Sequence, residues 1–198
     1  MHVYIIFAHP SKRSFTFKVL RAFQNGLEEA GHTFEIGDLY EMGFQSDLDS
    51  DQYLRESSLN TDTPLPEDVK KEQEKINRAD ALAFVYPVWW SDCPAKLKGW
   101  FDRVWSYGYA YFYENGEHVI SKIHIEKALV ICPAGHTVEH LEETGIAESM
   151  RRIMLNDRLL GVGVKEAKME ILGGMVENKE AVRTENLEKA YRLGKTFG

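Results

Sequence analysis

Apolar and polar positions alternate along this chain in blocks that change period, and the changes mark the elements. Val3 to Ala8 (VYIIFA) is an unbroken run of β-branched and aromatic residues, which predicts a strand buried on both faces of a parallel sheet. After a short polar loop, Phe15, Val19, Leu20, Phe23, Leu27 and Ala30 recur at helical spacing, and Gly31 supplies a stop. His32 to Leu39 reads as a second, partly exposed strand. Tyr40 to Pro66 is acidic and lacks sustained periodicity, so a long loop that covers something or wraps a partner is expected there. Glu67 to Ala79 reads as a charged helix leading into a third strand, Ala81 to Tyr86, and Pro94 opens an amphipathic helix. Ala128 to Cys132 (ALVIC) gives a fourth buried strand, Ile146 to Leu160 a helix, Ala167 to Leu172 a fifth strand and Glu180 to Phe197 a closing helix.

Strands alternating with helices imply an α/β fold with a parallel sheet covered on both faces by right-handed crossovers. Five strands in this length match a flavodoxin-like double winding, order 2-1-3-4-5, in one domain spanning residues 1–198. The 198 residues, 43% of them hydrophobic, suffice for a full core. A net charge of −7 without any Lys/Arg-rich block argues against a nucleic-acid partner. No run approaches the roughly 18 apolar residues of a membrane span. The start MHVYIIFAHP does not read as a signal peptide, so a cytoplasmic protein is expected. Cys93 and Cys132 belong to no CxxC pair, which leaves reduced thiols as the default.

In a doubly wound sheet the loops after the first, third and fourth strands share one edge, so their residues meet. The first, AHPSKRSFTF, places His9, Ser14 and Thr16 at the amino end of a helix, where free N–H groups and the helix dipole favour an anion such as phosphate; Ser14 and Thr16 are also ordinary capping residues. The second, Pro87 to Ser91, sets Trp89 and Trp90 where a flat ring can stack. A core or interface role suits Trp100 and Trp105 better, since both lie within a helix. The third is Cys132-Pro133-Ala134-Gly135-His136-Thr137, where Gly135 lets backbone approach a ligand closely. His136-Thr-Val-Glu139-His140 is also an H-x-x-E-H match, which as a zinc hydrolase would need a downstream ligand such as Glu166 or Glu170. Its position at a strand-end loop weighs against that reading. No GxGxxG follows the first strand, and neither a P-loop nor a GxSxG elbow occurs.

AHPSKRSFTF followed by YPVWWSDCPAKLKGWFDRVWSYGYAYFY resembles the flavodoxin-like NAD(P)H:quinone oxidoreductase family, which includes the mammalian DT-diaphorases and bacterial modulator-of-drug-activity and general-stress relatives. The elements P-x-x-W, P-A-x-L-K-G-W-F-(D/E)-R-V and A-Y-x-Y stand in order. By that resemblance His9, Ser14, Phe15 and Thr16 match the loop at the flavin phosphate, with Thr16 in place of the usual Asn. Pro87, Val88, Trp89, Trp90 and Ser91 match the loop against the isoalloxazine, and Ser91 replaces an aromatic, implying a more open pocket. Tyr111 and Tyr113 match the paired tyrosines that close over nicotinamide or quinone at a homodimer interface. Where relatives carry Thr-Thr-Gly-Gly and then a Tyr and a His, this chain has Pro133, Ala134, Gly135 and His136 and no clear Tyr–His pair, which leaves His136 or His140 for proton management. The resemblance implies FAD, with FMN as the alternative, NAD(P)H as co-substrate, and ping-pong delivery of two electrons to a quinone. A rival reading from another class is a regulatory subunit that binds flavin and nicotinamide on behalf of a partner protein.

Overall fold

In the computed structural model, which describes residues 1–114, 118, 119 and 121–198, five parallel strands form one sheet. They are β1 (His2–Phe7), β2 (Thr33–Asp38), β3 (Ala81–Val85), β4 (Lys127–Pro133) and β5 (Glu166–Leu172), in the order β2-β1-β3-β4-β5 that the alternation predicts. Seven α-helices accompany them among the described residues: α1 (Phe15–Glu29), α2 (Ser50–Ser57), α3 (Glu67–Arg78), α4 (Ala95–Val104), α5 (Val138–Glu143), α6 (Ile146–Arg151) and α7 (Glu180–Lys195).

The pleat sends successive side chains to opposite faces, and the central strands are apolar on both. Tyr4, Ile6, Leu82, Phe84 and Val130 join Ile76, Leu97, Trp100 and Phe101 of α3 and α4 in one core. Val3, Ile5, Phe7, Ala83, Val85, Leu129 and Ile131 join Val19, Phe23 and Leu27 of α1 and Ala190 of α7 in the other. On the first face Glu72 is fully buried, yet its charge is met by the Trp100 indole N–H at 2.7 Å, the Lys75 ammonium at 2.7 Å and the Tyr4 hydroxyl. Burial and the adjacent carboxylate push the Tyr4 hydroxyl far above its ordinary value, so it remains a donor. On the second face α1 and α7 touch backbone to backbone. A β-carbon on Gly26 would come within 2.1 Å of the Tyr191 carbonyl oxygen, and one on Gly194 within 2.2 Å of that of Phe23.

Two expectations need correction. Tyr40 to Pro66 is not all loop: α2 forms there, capped by Asp49, whose carboxylate accepts from the Gln52 N–H at 2.7 Å. Its inward residues, Gln52 and Arg55, are polar, so no apolar stripe announces the helix. Ile146 to Leu160 is not one α-helix. After Arg151 the chain passes into a π turn (Arg152–Asp157), closed by the Arg158 N–H donating to the Ile153 carbonyl at 3.1 Å, and then a 3₁₀ turn (Leu160–Val162). Ahead of it the short helix α5 begins at a Thr137 cap that the pattern did not reveal. A small antiparallel hairpin also pairs Tyr113–Glu114 with His118–Val119. Among the described residues no helix is long and apolar enough to cross a membrane.

The helix contact yields a test. Gly26→Ala should lower stability by about 2–3 kcal/mol through overpacking, or roughly 4–12 °C of melting temperature for a chain of this size. Thermal denaturation followed by circular dichroism measures it, and an unchanged midpoint would contradict the packing described.

Candidate functional site

At the carboxyl edge of the sheet, the loops after β1, β3 and β4 come together as expected. The Ala8 N–H donates to Val85 at 3.1 Å and the Val88 N–H to Pro133 at 2.8 Å, so each loop is hydrogen-bonded to the next. The His9 and Trp89 rings lie 5.9 Å apart at 60°, closing the first loop on the second.

In the first loop, Ser14 caps α1 by accepting from the Phe17 N–H at 3.1 Å. Among the described residues the Phe15 and Thr16 amides have no hydrogen-bond partner, which is the ordinary state of a helix start. Thr16 is buried at 3% exposure. His9 Nδ1 accepts from the Ser11 N–H at 2.9 Å, which leaves the proton of the neutral ring on Nε2 as a further donor. Burial holds the His9 imidazole below its usual range.

A residue that sequence reading missed completes this end. Arg183, in the first turn of α7, lies with its guanidinium carbon 5.3 Å over the Phe15 ring, and its Nε is buried without a hydrogen-bond partner among the described residues. In sequence it is one cation among many on a charged helix. Only the parallel packing of α1 and α7 carries it to the first loop.

In the second loop Pro87 is buried and Val88 half-buried, while Trp89 is 42% and Trp90 103% exposed. Trp89 and Asp92 exchange backbone hydrogen bonds at 3.0 and 3.1 Å around Trp90 and Ser91, whose φ angles are 47° and 65°. Such left-handed residues cost about 1–3 kcal/mol each and gather where ligands are clamped. The Trp90 and Ser91 amides have no partner among the described residues. In the third loop Pro133 and Ala134 are buried, and the carbonyls of Ala134, Gly135 and His136 accept from Met175, Val176 and Gly174 at 3.1, 3.1 and 2.8 Å. These bonds pin the loop to the segment after β5 and, among the described residues, leave the Gly135 and His136 amides without a partner.

The expected tyrosines sit apart from this cluster. Tyr111 packs against Tyr107 at 5.7 Å, and Tyr113 is 6.4 Å from Tyr107. The helix that sequence reading missed braces them: Glu56 accepts from the Tyr107 N–H at 2.6 Å, and Arg55 donates to the Tyr107 carbonyl at 3.1 Å. Burial, then the neighbouring Glu56, raises the Tyr111 hydroxyl above its ordinary value. No hydrogen bond or ring contact joins Tyr111 or Tyr113 to the three loops among the described residues.

His136 and His140 are exposed, with rings 4.6 Å apart. Of the carboxylates the zinc reading would need, Glu166 stands at the opposite end of β5, level with Lys127, and Glu170 pairs with Lys189 at 2.5 Å. Among the described residues no group of three or more side chains is placed to hold a metal, so the H-x-x-E-H match does not become a zinc site.

The sequence matches a family model, Flavodoxin_2, described as a flavodoxin-like fold, over residues 1–193. The structure of an NAD(P)H:quinone oxidoreductase from Methanothermobacter marburgensis is similar with a TM-score of 0.94 and 64% identity, covering 100% of this chain and 96% of that one. An uncharacterized NAD(P)H oxidoreductase of Haemophilus influenzae is 35% identical over 87% of this chain and 84% of its own length. An NAD(P)H dehydrogenase (quinone) 1 of Cavia porcellus is 37% identical over 55% of this chain, which spans 44% of that relative.

The His9 environment is open to a direct check. A histidine whose value is lowered on folding contributes stability that is present above its unfolded value of about 6.5 and lost as pH falls through the lower folded one. The His9 ring proton, followed by NMR in protein without ligand, should titrate below about 6.5. A midpoint above that would contradict the buried, Ser11-bonded ring.

Proposed function

The chain belongs to the Flavodoxin_2 family and is a flavin-dependent NAD(P)H:quinone oxidoreductase, and from that premise we propose that its three edge loops hold FAD in one domain spanning residues 1–198. The observation that carries the assignment is Trp90, a large aromatic held wholly in solvent on a strained turn among amides that have no partner among the described residues. A folded chain ordinarily withdraws such a ring from water. Here it offers a flat face at the edge where doubly wound sheets bind their ligands.

The residues fit a flavin from end to end. The Phe15 and Thr16 amides and His9 Nε2–H suit a phosphate, Trp89 and Trp90 suit the ring system, and the Gly135 and His136 amides suit its pyrimidine edge. The Arg183 guanidinium beside the α1 start, whose buried Nε has no hydrogen-bond partner among the described residues, supports FAD over FMN, because a cation added to the neutral donors there suits a pyrophosphate better than one phosphate. When bound, flavin supplies the chemistry of accepting hydride from NAD(P)H and passing two electrons to a quinone. The protein's part is to orient the ring, present donors where negative charge gathers, and admit nicotinamide and quinone in turn past Tyr111 and Tyr113. His140, exposed beside His136, is the candidate for exchanging protons with solvent. The exposed Tyr53, Leu54 and Tyr113 support a homodimer in which the tyrosine pair faces the partner.

Purified protein should carry a yellow cofactor that bleaches with NADH or NADPH under anaerobic conditions and recovers its colour with a quinone. Mass spectrometry of the released cofactor should give FAD; FMN would overturn that choice. Trp90→Ala should weaken flavin binding by about 1–3 kcal/mol, roughly 5- to 150-fold, the range of aromatic stacking. Tyr111→Ala should raise the quinone KM with flavin retained. Wild-type behaviour in both variants would remove the site from these loops.

A further inference from the structure

The turn that presents Trp90 is conformationally unfavourable, and something must hold it shut. Trp89 and Asp92 bond to each other reciprocally around two left-handed residues, the φ signature of a type I′ turn, which Asn and Gly occupy by preference. This chain puts Trp and Ser there. The next residue supplies a brace: both carboxylate oxygens of Asp92 accept from the Arg158 guanidinium, at 3.0 and 3.1 Å, and Oδ1 also accepts from the Cys93 N–H at 2.7 Å.

Arg158 is itself fixed from several sides. It is 9% exposed, its guanidinium lies 5.4 Å over the Phe101 ring and within 3.5 Å of the Cys93 sulfur, and its carbonyl accepts from the Trp105 indole at 2.7 Å. Its N–H closes the π turn on Ile153. Each residue of a helix turns the side-chain direction by about 100°, so the extra residue in a π turn redirects everything after it. Burial alone would raise the Asp92 carboxyl, but hydrogen bonds from Arg158 and the Cys93 amide outweigh it and hold the group below its usual range. The pair is therefore charged throughout the neutral range.

We propose that Arg158 is a positioning residue: acting through Asp92, it keeps the Trp90–Ser91 turn in the strained form that receives the flavin ring. This rests on the reading of the second loop given above. The brace requires the planar fork, because two parallel hydrogen bonds fix the orientation of the Asp92 carboxylate, whereas a lysine ammonium fixes only distance.

The experiment compares FAD binding to stripped and reconstituted protein for the wild type, Asp92→Asn, Arg158→Lys, and Asp92→Asn combined with Ser91→Gly. Asp92 is half-exposed, so its variant tests the brace even if the Arg158 variant does not fold. Asp92→Asn and Arg158→Lys should each weaken FAD about tenfold, measured on protein whose circular dichroism matches the wild type. Adding Ser91→Gly, which removes the strain at φ 65°, should restore most of the affinity lost by Asp92→Asn. A merely structural ion pair predicts no such rescue. The proposal is overturned if Asp92→Asn binds FAD like the wild type, or if Ser91→Gly recovers nothing. A wild-type protein that takes up no flavin would instead bring down the underlying reading of the second loop, and the proposal with it.

Discussion

Phe7 stands level with Val85, and Val85 with Ile131, so β1 and β3 finish together, β4 runs on to Pro133, and the three loops leave from one edge. The ladder continues past the strand ends, with the Ala8 N–H on Val85 at 3.1 Å, the Tyr86 N–H on Ile131 at 3.3 Å and the Val88 N–H on Pro133 at 2.8 Å. A slip of one residue in β3 would carry Leu82 and Phe84 from the face of α3 and α4 to the face of α1 and α7. It would also shift Trp89 and Trp90 by about 3.3 Å against the third loop. The alternation that fills the two cores is thus the same constraint that aligns the ligand edge.

A second constraint works through α4. This helix begins just after the Trp89–Asp92 turn and ends just before the Tyr107 loop, so its placement fixes the spacing of the two aromatic groups. Glu72 sets that placement by accepting from Trp100 of α4, Tyr4 of β1 and Lys75 of α3 at one buried carboxylate. A buried charge gains little net stability, but it admits few arrangements of its donors. At the other end Gln52 of α2 donates to the Arg103 carbonyl at 2.8 Å, and the Arg103 guanidinium returns a bond to Gln52 at 3.0 Å.

What the sequence disclosed follows from how each element is buried. β1, β3 and β4 are apolar on both sides, so their runs and the Pro, Gly and Trp residues that stop them were legible, and with them the three loops. α2 was hidden because its inward residues are Gln52 and Arg55. Arg158 was read as part of one continuous helix, and no local signal announces that the chain changes hydrogen-bond step at Arg152–Asp157. Arg183 was invisible for a different reason: its significance depends on the packing of two helices far apart in the chain. The H-x-x-E-H match shows the converse error, since the spacing brings two imidazoles together while the carboxylates it would enlist stand elsewhere.

The contact of α1 with α7 carries a consequence for the timing of assembly. The donors at the α1 start come from residues 9–16, whereas the cation that faces them comes from residue 183, and the glycines that let the helices meet are Gly26 and Gly194. A chain still emerging from the ribosome has made the first half of the cradle long before the second. α7 must be made and docked on α1 before the two halves face each other. Capture of a cofactor in the proposed cradle therefore follows the docking of α7 on α1, since without α7 the cradle lacks one wall.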